Sequence, residues 1–100
     1  MPKWNPGPLS HCSVSTNGKK AYIYGGIKNT GESNSKLFIF DSVNEQWEIP
    51  KVKGTSLPIA IDEHTSVMRE DGKMYIFGGF DEKGELRNDL YCFNVNSSTW

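Results

Sequence analysis

The chain predicts an all-β protein made of two copies of one small antiparallel sheet. Three observations carry that expectation. YIYGG at residues 22–26 returns as YIFGG at residues 75–79. Turn-forming dipeptides, Asn17-Gly18 and Asp71-Gly72, stand just ahead of each phrase. No segment keeps a helical hydrophobic period over a useful length.

The repeat extends well beyond the glycines. A shift of 53 places, from Tyr22 to Tyr75, aligns His11 with His64, Ser13 with Ser66 and Val14 with Val67. It also aligns Lys20 with Lys73, Gly31-Glu32 with Gly84-Glu85, Leu37 with Leu90, Phe40 with Phe93 and Trp47 with Trp100. So many identities in one ungapped register mark a duplication.

Each copy then reads as a series of short strands. First strands are expected at 10–15 and 64–70, and second strands at 21–26 and 73–79, the latter rich in aromatic and β-branched residues. Third strands fall at 36–42 and 88–95. A fourth covers 46–52, and its counterpart begins at Thr99-Trp100. Asn17-Gly18 and Asp71-Gly72 signal tight hairpins, because the favoured two-residue turns need positive φ. Gly18 stands four residues before Tyr22 and Gly72 three before Tyr75, which predicts the longer hairpin loop in copy one. The connections 27–35 and 80–88 are polar and contain Gly31 and Gly84, as exposed loops should.

Strand side chains alternate between faces, so Tyr22 and Tyr24 share one face with Ile23 on the other. Apolar residues on both faces require a sheet packed on each side. Four antiparallel strands at a period near fifty is the arithmetic of a β-propeller blade. Two blades do not close a ring, so the chain is expected to be an N-terminal fragment of a larger propeller, with assembly of several copies as the other route. The expected organisation is a lead-in over 1–9, blade one over 10–52 and blade two over 53–100, its last strand cut short. Trp4, too close to His11 to close an earlier blade, is expected to anchor the lead-in.

His-x-Ser-Val, an aromatic strand ending in Gly-Gly, Leu-aromatic-x-Phe and then Trp, in this order and twice, resembles the kelch repeat. The motif residues are His11, Tyr22, Gly25, Gly26 and Trp47, then His64, Tyr75, Gly78, Gly79 and Trp100. The long connection from Trp47 to His64 is similar to that of Rab9-effector-like kelch proteins. Pro8 and Ser10, and Ile61 and Glu63, stand where the family usually has arginine and glycine. An arginine-lined anion site is therefore not carried over.

The double glycines are expected to make room for an aromatic ring or for the neighbouring blade's backbone. Trp47 and Trp100 are the expected large fillers. The two histidines, as repeat equivalents, are expected to share a structural duty.

The remaining features exclude more than they assign. A net charge of −1 with interspersed acids and bases gives no nucleic-acid footprint. No apolar run is long enough to cross a bilayer. Gly26 and Gly31 have phosphate-loop spacing, but Glu32-Ser33 stands where Lys and a hydroxyl are required. Asp81, Glu82 and Glu85 lack calcium-loop spacing. Neither copy supplies a His/Cys cluster, so no metal and no cofactor is expected. Cys12 and Cys92 read as small buried thiols in a reducing, cytoplasmic setting.

The expected function is a non-catalytic protein-interaction module, an adaptor or scaffold with no nucleic-acid or membrane-inserted partner. In an antiparallel meander, loops after the second and fourth strands emerge at one end. Those loops are the longer ones, so Lys28, Asn29, Glu32, Asp81, Glu82, Lys83, Glu85 and Arg87 are the candidate partner contacts. The alternative is a regulatory or substrate-recognition propeller of an enzyme whose catalytic part lies outside this chain.

Overall fold

The computed structural model describes residues 5–54 and 57–100; Trp4, with its expected anchoring role, lies outside them. The described residues form eleven short β-strands and no helix. In chain order they are β1 (Leu9–Ser10), β2 (Ser13–Asn17), β3 (Lys20–Tyr24), β4 (Ile27–Lys28), β5 (Leu37–Asp41), β6 (Gln46–Glu48), β7 (Ile61–Asp62), β8 (Thr65–Met68), β9 (Lys73–Phe77), β10 (Phe80–Asp81) and β11 (Leu90–Asn94).

Blade one is the four-stranded antiparallel sheet β2-β3-β5-β6. Blade two is the three-stranded sheet β8-β9-β11, beside which Thr99 makes an antiparallel bridge to Asn94. The repeat is visible in its turns. Asp41 Oδ1 accepts the Val43 and Asn44 amides, and Asn94 Oδ1 accepts those of Asn96 and Ser97. Each turn then passes through a left-handed residue, Glu45 at φ 54° and Ser98 at φ 52°. After each turn a tryptophan packs on the preceding strand, Trp47 on Phe40 at 5.0 Å and Trp100 on Phe93 at 4.9 Å between ring centroids.

The glycine pairs are not inside strands, as the sequence suggests. They follow β3 and β9 with positive φ, +73° and +88° at Gly25 and Gly26, +75° and +90° at Gly78 and Gly79. Opposite them, His11 and Glu63 each take a φ of 56°. Both strands of each hairpin therefore kink together and resume as separate ladders, β1 with β4 and β7 with β10. This splits each expected first strand into two pieces.

The hairpin loops reverse the expected order of length. Asn17 pairs with Lys20, leaving a two-residue loop in copy one with Gly18 at φ +63°. Glycine at the first central position is what a type II′ turn requires. In copy two, Arg69 N–H donates to the Lys73 carbonyl and Gly72 N–H to the Arg69 carbonyl, around a loop of Glu70, Asp71 and Gly72. That is a three-residue hairpin with its left-handed glycine last.

The extra loop residue moves the whole inner strand of copy two back by one place. Ser10 pairs with Ile27, whereas Asp62 pairs with Phe80. A Cβ on Gly26 would strike Ser10 O and Cys12, whereas one on Gly79 would strike Asp62 O and His64. His64 thus occupies the place of Cys12, and Glu63 that of His11. The histidines align in sequence but are not equivalent in space. A one-residue slip also exchanges the faces of a strand. Val14 therefore pairs with Ile23, while Val67 pairs with Tyr75.

The core lies between the blades. Tyr22, Tyr24, Leu37 and Ile39 from blade one meet Ile61, Met74, Ile76 and Phe93 from blade two. Each such side chain withdrawn from water stabilises by about 1.5–3 kcal/mol. The far face of blade two lies open, with Val67, Phe77 and Leu90 all more than half exposed. Cys12 and Cys92 are unpaired and half-buried, rather than buried as the sequence suggests.

Candidate functional site

The two loops that carry the candidate contacts have the same construction. Lys28 N–H donates to the Glu32 carbonyl and Gly31 N–H to the Lys28 carbonyl. In the second copy, Asp81 N–H donates to the Glu85 carbonyl and Gly84 N–H to the Asp81 carbonyl. Gly31 (φ +90°) and Gly84 (φ +77°) close these turns, and a Cβ on either would meet nothing within 4 Å. The glycines serve backbone conformation here, not a close approach. Asn29, Glu82 and Lys83 are therefore turn-tip residues. Lys28 and Glu32 flank the first tip, and Asp81 and Glu85 the second.

Asp81 differs from the rest. It is only 8% exposed. Its Oδ1 accepts the Lys83 and Glu85 amides at 2.9 and 3.0 Å. Its Oδ2 lies 3.7 Å from the Arg87 guanidinium, whose Nε donates to Asp89 at 2.8 Å. Asp81 thus shapes the loop and fixes Arg87. Asn34, at the position equivalent to Arg87, is 1% exposed; its Nδ2 donates to the Gly25 and Lys36 carbonyls.

A cleft of about 240 Å³ opens beside the second loop, lined by Asp81, Glu82, Lys83, Glu85, Arg87, Ile59 and Ala60. Five of the candidate contacts therefore converge on one concavity. Lys28, Asn29 and Glu32 do not line it. Ile59 and Ala60, its apolar lining, come from the interblade connection 53–63, a long loop that the sequence places at this end without singling out these two residues. Tyr24 positions Ile59: its hydroxyl donates to the Ile59 carbonyl at 2.9 Å. Burial, aided by the Tyr91 phenol, pushes the Tyr24 phenol well above its usual range, so it remains a donor.

The motif residues lie at the blade junction. A Cβ on Gly25 would come within 2.4 Å of Ile61 O and 2.6 Å of His64 Cε1. The neighbouring blade's backbone fills that space, and Gly26 N–H donates to the same Ile61 carbonyl at 2.9 Å. The tryptophan rings do not occupy it: Trp47 packs on Phe40, and Trp100 on Tyr24 and Phe93. A Cβ on Gly78 would meet only Arg87 O, at 3.6 Å. Tyr22 is buried in the core, whereas Tyr75 is half-buried on the open face of blade two. His64 is 7% exposed with Nε2 at 2.7 Å from Ser13 Oγ, while His11 is exposed.

Two successive antiparallel blades, each with a Gly-Gly kink and a tryptophan after its third strand, define a kelch-type β-propeller unit. The chain belongs to the kelch-repeat family: the family model described as the KLHDC2/KLHL20/DRC7 Kelch-repeats domain matches residues 10–100. Among similar proteins, human Kelch domain-containing protein 3 is 34% identical over 80 residues, covering 78% of this chain and 20% of that protein. Human Host cell factor 2 is 30% identical over 112 residues, covering 95% of this chain and 14% of that protein. The Dictyostelium discoideum Rho GTPase-activating protein gacHH is 27% identical over 96 residues, covering 95% of this chain and 6% of that protein. The chain thus spans a fifth or less of these relatives. Kelch-repeat domains are in general non-catalytic, protein-binding domains. Among the described residues, no helix is long and apolar enough to cross a membrane.

Proposed function

We propose that this chain is a non-catalytic protein-interaction module that engages a partner through the loops at one end of its blades. The supporting observation is the convergence of Glu82, Lys83, Glu85 and Arg87 with Ile59 and Ala60 around one cleft. Asp81 acts by shaping that loop. Lys28, Asn29 and Glu32 extend the surface onto the neighbouring blade. Unpaired Cys12 and Cys92 support a reducing, cytoplasmic setting. The open face of blade two takes a further blade or a second copy, because its repeat equivalent in blade one is covered by blade two.

The alternative has the same surface recognise or regulate for a catalytic domain elsewhere in a longer protein. Similarity to a relative named as a Rho GTPase-activating protein supports it.

Quantitative affinity capture with Glu82→Lys/Lys83→Glu/Glu85→Lys tests the proposal, with Glu70→Lys on the opposite hairpin as control. Partners should be lost with the triple variant and kept with the control. Retention of every partner by the triple variant refutes this surface.

A further inference from the structure

His11, Asp62 and Glu63 come together where the two blades meet, with one ligand-type atom from each lying within 4.8 Å of the others. His11 follows β1 in blade one, and Asp62 and Glu63 lie at the end of β7 in blade two. Glu63 N–H donates to the His11 carbonyl at 2.9 Å, and the Glu63 carboxylate is 3.8 Å from His11 Nε2. No Lys or Arg forms an ion pair with either carboxylate among the described residues. Two adjacent carboxylates without a counter-charge repel each other, and a cation between them removes that repulsion.

We propose that His11, Asp62 and Glu63 form a binding site for a divalent first-row transition metal ion, best suited to zinc, which joins blade one to blade two. The donor set determines the class of ion. An imidazole nitrogen with two carboxylates suits zinc and its neighbours, whereas calcium and magnesium prefer oxygen alone. Tetrahedral zinc with bonds of about 2.0–2.1 Å needs donor atoms roughly 3.3 Å apart. His11 and Glu63 have half-exposed side chains, so a small rotamer adjustment closes the set. Three protein donors leave at least one position for water or a partner's side chain. The site is independent of the loop cleft. It escapes the sequence because its donors come from different copies, 51 residues apart between His11 and Asp62.

The test is calorimetric titration of zinc into the 100-residue chain, repeated in a Cys12→Ser/Cys92→Ser background because Cys12 neighbours His11. Saturable one-to-one binding should persist without the thiols, with a raised melting temperature. Glu63→Gln and Asp62→Asn should each weaken it by at least the roughly tenfold to hundredfold that loss of an outer-shell partner costs a metal site. His11→Asn should do the same, since asparagine tolerates left-handed backbone. Metal-free melts of these variants control for folding. Absence of saturable binding, binding that disappears with the thiols, or undiminished binding in all three variants would each overturn the proposal.

Discussion

Ser13 Oγ and His64 Nε2 form a buried 2.7 Å hydrogen bond that crosses from one blade to the next. It is one rung of an inner-strand seam, followed by Ser15 Oγ to Ser66 Oγ at 2.6 Å. Ser13 supplies the one side-chain hydrogen bond to the buried His64 ring among the described residues. Ser13→Ala would leave the buried Nε2 of His64 without its partner. The expected loss is about 1–3 kcal/mol, the cost of an unmet buried polar group. Urea denaturation measures it. A loss within a few tenths of a kcal/mol would show that water replaces the hydroxyl.

The same ring makes stability depend on pH. Burial holds the His64 pKa below its ordinary value; the Tyr24 backbone and the Asp62 charge oppose that shift without reversing it. The folded protein therefore favours neutral imidazole, and the unfolded chain binds the proton more readily. Stability is full above the unfolded value of about 6.5 and falls as pH drops toward the lower folded value. Urea midpoints from pH 8 to 5 should decline in this window for the wild type. His64→Gln should flatten that decline, and an unchanged profile would assign it to other groups.

The glycine pairs show how much of this fold is legible in sequence. Tyr-Ile-aromatic-Gly-Gly identifies the second strand but not its end, because the left-handed φ that takes the glycines out of the strand is seen only in the structure. The family follows from such motifs in order. The slip between copies was not legible, since Asn-Gly and Asp-Gly look alike as turn signals while closing loops of different length. One loop residue then turned an apparent pair of equivalent histidines into a buried junction residue and an exposed one. The candidate loops were legible as polar connections, but the place of Ile59 in the cleft lining is fixed by Tyr24, far away in sequence.

Gly25 and Gly78 are repeat equivalents with different expected sensitivities. Both have positive φ, so alanine costs about 1–2 kcal/mol in backbone strain at either site. Only at Gly25 does the new methyl also collide with Ile61 O and His64. Gly25→Ala should therefore cost clearly more, by roughly another 1–3 kcal/mol of overpacking. Thermal melts of the pair decide the matter. Equal losses would indicate that Gly78 is packed as closely as Gly25, and hence that the open face of blade two is covered in solution.

The two tryptophans should also separate. Trp100 packs on Phe93 and reaches across the junction to Tyr24, with ring centroids 5.4 Å apart. Its backbone amide donates to the Lys53 carbonyl at 2.8 Å, and the Lys53 amide donates to the Ser98 carbonyl at 2.8 Å. Trp47 packs on Phe40 alone among described rings and borders an open apolar hollow with Leu9, Val14 and Ile23. Truncating a large buried aromatic costs about 3–5 kcal/mol, and each aromatic pair adds about 0.5–1.5 kcal/mol. Both rings are half-buried, so each truncation should fall below that range, and Trp100→Ala should cost more than Trp47→Ala by about the 0.5–1.5 kcal/mol of its second aromatic contact. Equal losses in chemical denaturation would mean that the hollow beside Trp47 is filled in solution, giving its ring a contact that matches Tyr24 on Trp100.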